Sequence, residues 1–174
     1  TIRKDVAPFD GVKSFAVEEA TENYVNYPLS VYNVPDWLSY EFLDEYTMKV
    51  TVTDATQISS GYYCLFNSSN SVSALPYTMS AELAERTTPG LEIGIGGFGS
   101  IETTNPSNLN LGKIGDRYFR TIQYKSGWKY EIGVRINLDF SFKNGDYIII
   151  RKPQIEEKPF ASSFVVGSRP KGRL

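Results

Sequence analysis

Reactive side chains are scarce in this chain, and their types narrow its chemistry before any fold is considered. Histidine is absent from the 174 residues, which removes the commonest general base, the commonest metal ligand and every Ser-His or Cys-His nucleophile pair. Cys64 is the single cysteine, so neither an intramolecular disulfide nor a cysteine-based metal site can form. Flanked by Tyr62, Tyr63, Leu65 and Phe66, it reads as a small buried hydrophobe. Carboxylates are the remaining acid–base groups. Asp44-Glu45, Glu18-Glu19 and Glu156-Glu157 are adjacent pairs, and neighbours on a strand point to opposite faces, so none is by itself the carboxylate pair of a glycosidase. They read as solvated charges. No Asp-x-Asp-x-Asp-Gly calcium loop occurs, and no metal or cofactor is expected.

Gly94, Gly96 and Gly99 have the G-x-G-x-x-G spacing, but Thr103, Thr104, Asn105 and Pro106 follow where a helix would have to open to hold a pyrophosphate. The glycines read instead as a turn or bulge with close backbone approach. Asn67-Ser68-Ser69 is a glycosylation sequon, relevant only in a eukaryotic secretory setting.

The aromatics offer more. There are 12 Tyr, 10 Phe and 2 Trp, and their flat faces stack on the C–H faces of sugar rings while neighbouring Asn, Asp or Arg groups bind hydroxyls. Trp37 and Tyr40 stand in or beside a turn-rich stretch, Phe98 lies in the glycine loop, and Trp128 begins a strand directly after Gly127. These four are the candidate ligand-binding residues, with core packing as the competing reading for each. Tyr62, Tyr63, Phe119, Phe140 and Phe142 read as core.

Positioning elements follow from periodicity. Tyr46 to Asp54 is the cleanest alternation, with Tyr46, Met48, Val50 and Val52 on one side and Thr47, Lys49, Thr51 and Thr53 on the other, the pattern of a half-buried strand. Gly11 to Glu19, Tyr62 to Phe66, Tyr77 to Ala84, Leu91 to Ile95, Arg117 to Tyr124, Trp128 to Leu138 and Asp146 to Lys152 supply further strands. Tyr77 to Ala84 would tolerate a helix, but Pro76 and Thr88-Pro89-Gly90 bound it too closely. Asn23 to Ser39 and Ser100 to Asn110 read as loops, Asn144-Gly145 as a hairpin turn, and Pro153 as a limit on how the last strand pairs. Short strands at regular spacing with no amphipathic helix indicate an all-β fold, an antiparallel jelly-roll β-sandwich.

Eighteen basic and twenty acidic side chains give a net charge of −2 without a basic stripe, so no nucleic acid partner is expected. No apolar run approaches the ~18 residues needed to span a bilayer, so no membrane insertion is expected. The length fits a single domain over 1–174, with 1–10 as a leader and 167–174 as an exit tail. The start without Met and the basic end suggest a segment of a longer chain.

Two stretches carry a resemblance. IIIRKPQIEEKPFASSFVVGSR resembles the closing segment of bacteriophage tail and tail-fibre proteins, a last strand running into a "PQ-aliphatic-E" motif, an "FATSF-like" return and a "G-T/S-R" exit. Pro153, Gln154, Ile155, Glu156, Phe160, Ala161, Ser162, Ser163, Phe164, Gly167, Ser168 and Arg169 carry the match, with Ser162 where Thr is usual. FAVEEATENYVNYP, from Phe15 to Pro28, is similar to the opening of the same modules, with Tyr24 where an aliphatic residue is usual. YTMSAELA and LEIGIGG are similar to strands of carbohydrate-binding modules with the galactose-binding-like fold. The resemblance implies a non-catalytic carbohydrate-binding module of a phage tail or receptor-binding protein, extracellular on the virion. Its implied partners are bacterial surface polysaccharide and other virion tail proteins. The matched segments are framework and supply no ligand residues. An alternative is a structural spacer or trimerisation unit of a fibre, a possible homotrimer with its aromatics packed between sister chains. A polysaccharide depolymerase with paired carboxylates is a third reading.

Overall fold

The computed structural model describes residues 20–68, 76–97, 111–123 and 130–169, with the backbone of 2–3, 16–17 and 100–103. Its strands are β1 (Ile2–Arg3), β2 (Ala16–Val17), β3 (Thr21–Glu22), β4 (Val31–Tyr32), β5 (Leu38–Asp44), β6 (Thr47–Val52), β7 (Gly61–Tyr63) and β8 (Leu65–Phe66). They continue as β9 (Tyr77–Arg86), β10 (Leu91–Gly97), β11 (Ser100–Thr103), β12 (Gly112–Ile114), β13 (Arg117–Ile122), β14 (Tyr130–Ile136), β15 (Tyr147–Glu156) and β16 (Ser168–Arg169). Among the described residues, helix is confined to the 3-10 turn Ala55–Gln57, whose first turn is capped by the Asp54 carboxylate accepting from the Thr56 N–H.

Two antiparallel sheets hold the core between them. The wider has the order β12-β13-β9-β15-β6-β5 and the narrower β11-β10-β14-β7. Met48, Val50 and Val52 of β6, Met79 and Ala81 of β9, and Ile148 and Ile150 of β15 face Ile93, Ile95, Ile132, Val134 and Ile136 of the narrower sheet, all fully buried. This is the period-2 pattern of sheets with one apolar face each. The alternation read for β6 and the strand read for Tyr77 to Ala84 are both observed.

Departures have identifiable causes. Leu38 to Asp44 is a seven-residue strand, hidden in the sequence because six of its seven residues are exposed. Ser100 to Thr103 is a strand paired with Gly94 to Gly97, not a loop, so among the described residues a strand and not a helix follows the glycines. Gly94 sits in mid-strand: a Cβ there would fall 2.0 Å from Tyr62 Cε1, so the glycine gives way to a tyrosine ring, not to a turn. Phe140 is 36% exposed, because it lies in the 137–146 connection beyond the end of β14. Cys64 is buried, as expected.

Two segments far apart in sequence, 21–25 and 153–169, are stitched together. Asn23, itself buried, donates to the Val165 and Pro153 carbonyls at 2.9 and 3.2 Å, and its side-chain oxygen accepts from the Val25 and Ile155 N–H groups. Gln154 accepts from the Val165 N–H at 2.8 Å, and β16 pairs with β3. Glu156 is fully buried and accepts from Thr21 Oγ1 at 2.6 Å, from the Ser162 N–H at 3.0 Å and from Ser162 Oγ. The solvated reading of Glu156 is therefore corrected. On a strand Glu156 and Glu157 point opposite ways, and the Glu156 side lies beneath the 160–165 return.

Candidate ligand-binding face

β5 is the edge of the wider sheet, and its register shows where its side chains point. Ser39 and Glu41 lie opposite Thr51 and Lys49, and Glu41 pairs with Lys49 at 3.4 Å on the outer face. Leu38, Tyr40 and Phe42 lie opposite Val52, Val50 and Met48 and so share the core-facing side. Leu38 is buried, yet Tyr40 is 43% and Phe42 39% exposed. A sheet two strands wider than its partner overhangs it by roughly 10 Å in total, and β5 occupies such an overhang. Tyr40 and Phe42 meet edge to face at 5.6 Å between ring centres.

Tyr46, in the turn between β5 and β6, belongs to a separate aromatic cavity of about 320 Å³ lined by Tyr27, Pro28, Glu45, Tyr46 and Val166. Tyr27, Tyr46 and Phe164 converge on it, with ring centres 5.8 Å apart for Tyr27 and Tyr46 and 5.4 Å for Tyr46 and Phe164. Tyr27 donates to the Pro153 carbonyl at 2.8 Å, and burial pushes its phenol well above the ordinary tyrosine value. A hydrogen bond with Glu45 raises the Tyr46 phenol. Both rings therefore stay neutral, as stacking and hydroxyl recognition require. A larger cavity of about 420 Å³ lies among Thr21, Glu22, Tyr24, Glu157 and Lys158, but it is walled by the frame segments. Tyr24 is its one ring, and that hydroxyl already donates to Glu157 at 3.1 Å.

Of the four residues singled out in the sequence, Tyr40 lies on this face. Trp37 does not: it is 7% exposed and packs edge-on against Tyr63 at 4.8 Å, while its carbonyl accepts from the Thr53 N–H. Its ring belongs to the core beside the start of β5. Phe98 and Trp128 lie outside the described residues. Phe42, Tyr27 and Tyr46 escaped the sequence reading. The signal for Phe42 was the alternation Leu38, Tyr40, Phe42 followed by Asp44-Glu45 and the strongest strand, a hairpin pattern.

Acidic groups near the face are occupied. Asp44 accepts from the Tyr46 N–H and from Thr47 Oγ1. Among the described residues no cluster of three acidic or cysteine side chains could hold a metal ion, and no helix is long and apolar enough to cross a membrane. No family model and no curated protein sequence matches the chain.

Proposed function

We propose that the chain is a non-catalytic carbohydrate-binding module with the jelly-roll, galactose-binding-like arrangement, carried on a phage tail or receptor-binding protein and contacting host cell-surface glycans. The observation that carries this reading is the exposed aromatic pair Tyr40 and Phe42 on the edge strand β5, with the cavity between Tyr27 and Tyr46 as a second aromatic site. Rings set side by side along an edge suit a chain of sugar units, since each ring stacks on one saccharide face and the phenolic hydroxyls and backbone groups bind its hydroxyls. Virion location and bacterial polysaccharide as partner rest on the resemblance of the two frame segments. Those segments are hydrogen-bonded to each other, in keeping with framework.

Calorimetric titration of the protein with host cell-wall polysaccharide tests the reading. Binding is expected, with loss of at least tenfold in the Y40A/F42A variant, each stacked ring being worth about 0.5–1.5 kcal/mol beyond its burial. Absence of binding by folded protein to any host surface glycan would remove the proposal. The spacer or trimerisation reading has one observation of its own, since the outer edge of β5 carries exposed Tyr40, Phe42 and Leu43 and pairs with no strand among the described residues. A stable trimer in sedimentation, with the Tyr40 ring protected from solvent, would favour that alternative.

A further inference from the structure

A cationic group is joined through one backbone segment to the aromatic cavity, whose one charged lining residue among those described is Glu45. On the outer face of the wider sheet Glu82 of β9 lies in register with Arg117 of β13 and Arg151 of β15. Glu82 Oε1 is 3.5 Å from Arg117 Nη1 and 3.3 Å from Lys152 Nζ, and Oε2 is 3.6 Å from Arg151 Nε. Three cations thus converge on one carboxylate. Glu156 acts on Arg117 through space, but its oxygens are taken by Thr21 and Ser162, and the group as a whole keeps an excess of positive charge. That excess sits at the accessible members: the Arg151 and Lys152 side chains are 41% and 42% exposed, against 13% for Arg117.

A bulge creates this arrangement. Between Arg151 and Gln154 the β15 register against β9 slips by one residue, and Lys152 takes a left-handed φ of 50°. Two successive side chains that strict alternation would send to opposite faces then both reach Glu82. The same bulge holds the cavity: the Lys152 N–H donates to the Tyr46 carbonyl at 2.7 Å, Tyr27 donates to the Pro153 carbonyl, and Arg117 Nη2 donates to the Lys152 carbonyl at 3.2 Å. Rings and cations are therefore tied to one backbone segment.

We propose that the glycan bound by this module is anionic, with a saccharide ring in the Tyr27–Tyr46 cavity and its carboxylate or phosphate held by Lys152 and Arg151. This rests on the carbohydrate-binding reading above and specifies its ligand class. An arginine and a lysine offer an incoming anion charge-assisted hydrogen bonds while Glu82 retains Arg117.

Calorimetry with three probes tests it: trigalacturonate, the neutral galactose trisaccharide, and a short poly(glycerol phosphate). Trigalacturonate or the glycerol phosphate oligomer is expected to bind roughly tenfold tighter than the neutral sugar, the scale of one charge-assisted hydrogen bond. Raising salt from about 0.01 to 1 M shortens the screening length from ~30 to ~3 Å and should shrink that margin. The R151Q/K152Q variant should abolish the margin. If circular dichroism shows the double variant unfolded, K152Q alone should reduce the margin. Preference for trigalacturonate identifies a carboxylate ligand, and preference for the glycerol phosphate oligomer a phosphodiester. Equal affinity for charged and neutral probes, or a margin that survives both variants, overturns the anionic assignment and leaves carbohydrate binding standing. Failure of every probe to bind, together with failure of host polysaccharide, overturns both.

Discussion

Replacing Glu156 by alanine tests whether the motif-bearing end of the chain is structural. The carboxylate is fully buried and accepts from Thr21 Oγ1 and the Ser162 N–H at 2.6 and 3.0 Å as well as from Ser162 Oγ. Hydrogen bonds to a charged group contribute about 1.5–3 kcal/mol each. The three are not additive, and breaking a buried charged network by removing one member costs about 3–5 kcal/mol. With an unfolding slope near 2 kcal/mol per molar urea, the midpoint should fall by about 1.5–2.5 M, out of a total stability of roughly 5–15 kcal/mol. Glu156→Gln keeps the shape but turns one acceptor into a donor, and should cost about half as much. Thr21→Val in each background closes a double-mutant cycle, whose coupling should be about 1–3 kcal/mol. A shift below about 0.5 M for Glu156→Ala, with no coupling to Thr21, would mean that the charge is solvated and the frame is held by other contacts.

Other outcomes are equally definite. Gly94→Ala places a methyl 2.0 Å from the Tyr62 ring and should destabilise the fold by about 1–3 kcal/mol; in a Tyr62→Ala background that cost should nearly vanish in the same urea titration. Trp37→Ala should cost about 3–5 kcal/mol, whereas Tyr40→Ala should stay within about 0.5 kcal/mol, a contrast that thermal unfolding reads directly. Burial lifts the Cys64 thiol from 9.0 to about 12. Unfolded chains therefore lose this proton first, so the contribution is intact below pH 9 and is lost as pH rises toward 12. Between about pH 8 and 10 wild type should lose about 1 kcal/mol more stability than Cys64→Ala, the variant serving as control for the buried tyrosines that also resist ionisation.

The limits of sequence reading show in particular residues. β6 was legible because one sheet face meets core and the other water, so Met48, Val50 and Val52 alternate with Thr and Lys. The all-β class and the strand at Tyr77 to Ala84, observed as Tyr77–Arg86, followed from spacing, turns and proline placement alone. The joining of the two frame segments was not legible in the sequence: Asn23 and Ile155 are 132 positions apart, and no local rule links them.

Periodicity failed where the environment departs from two uniform faces. β5 has an apolar side that overhangs the narrower sheet, so the same alternation that buries Leu38 exposes Tyr40 and Phe42. Trp37, chosen for its turn-rich surroundings, is buried because the tertiary fold lays Tyr63 across it. Composition and spacing are local properties, sufficient to fix strand type and exclude histidine-based chemistry. Exposure, charge convergence and the side to which Lys152 points are not local. They depend on how far one sheet extends past the other and on a one-residue slip at the Pro153 bulge, and both are set by packing between strands distant in sequence.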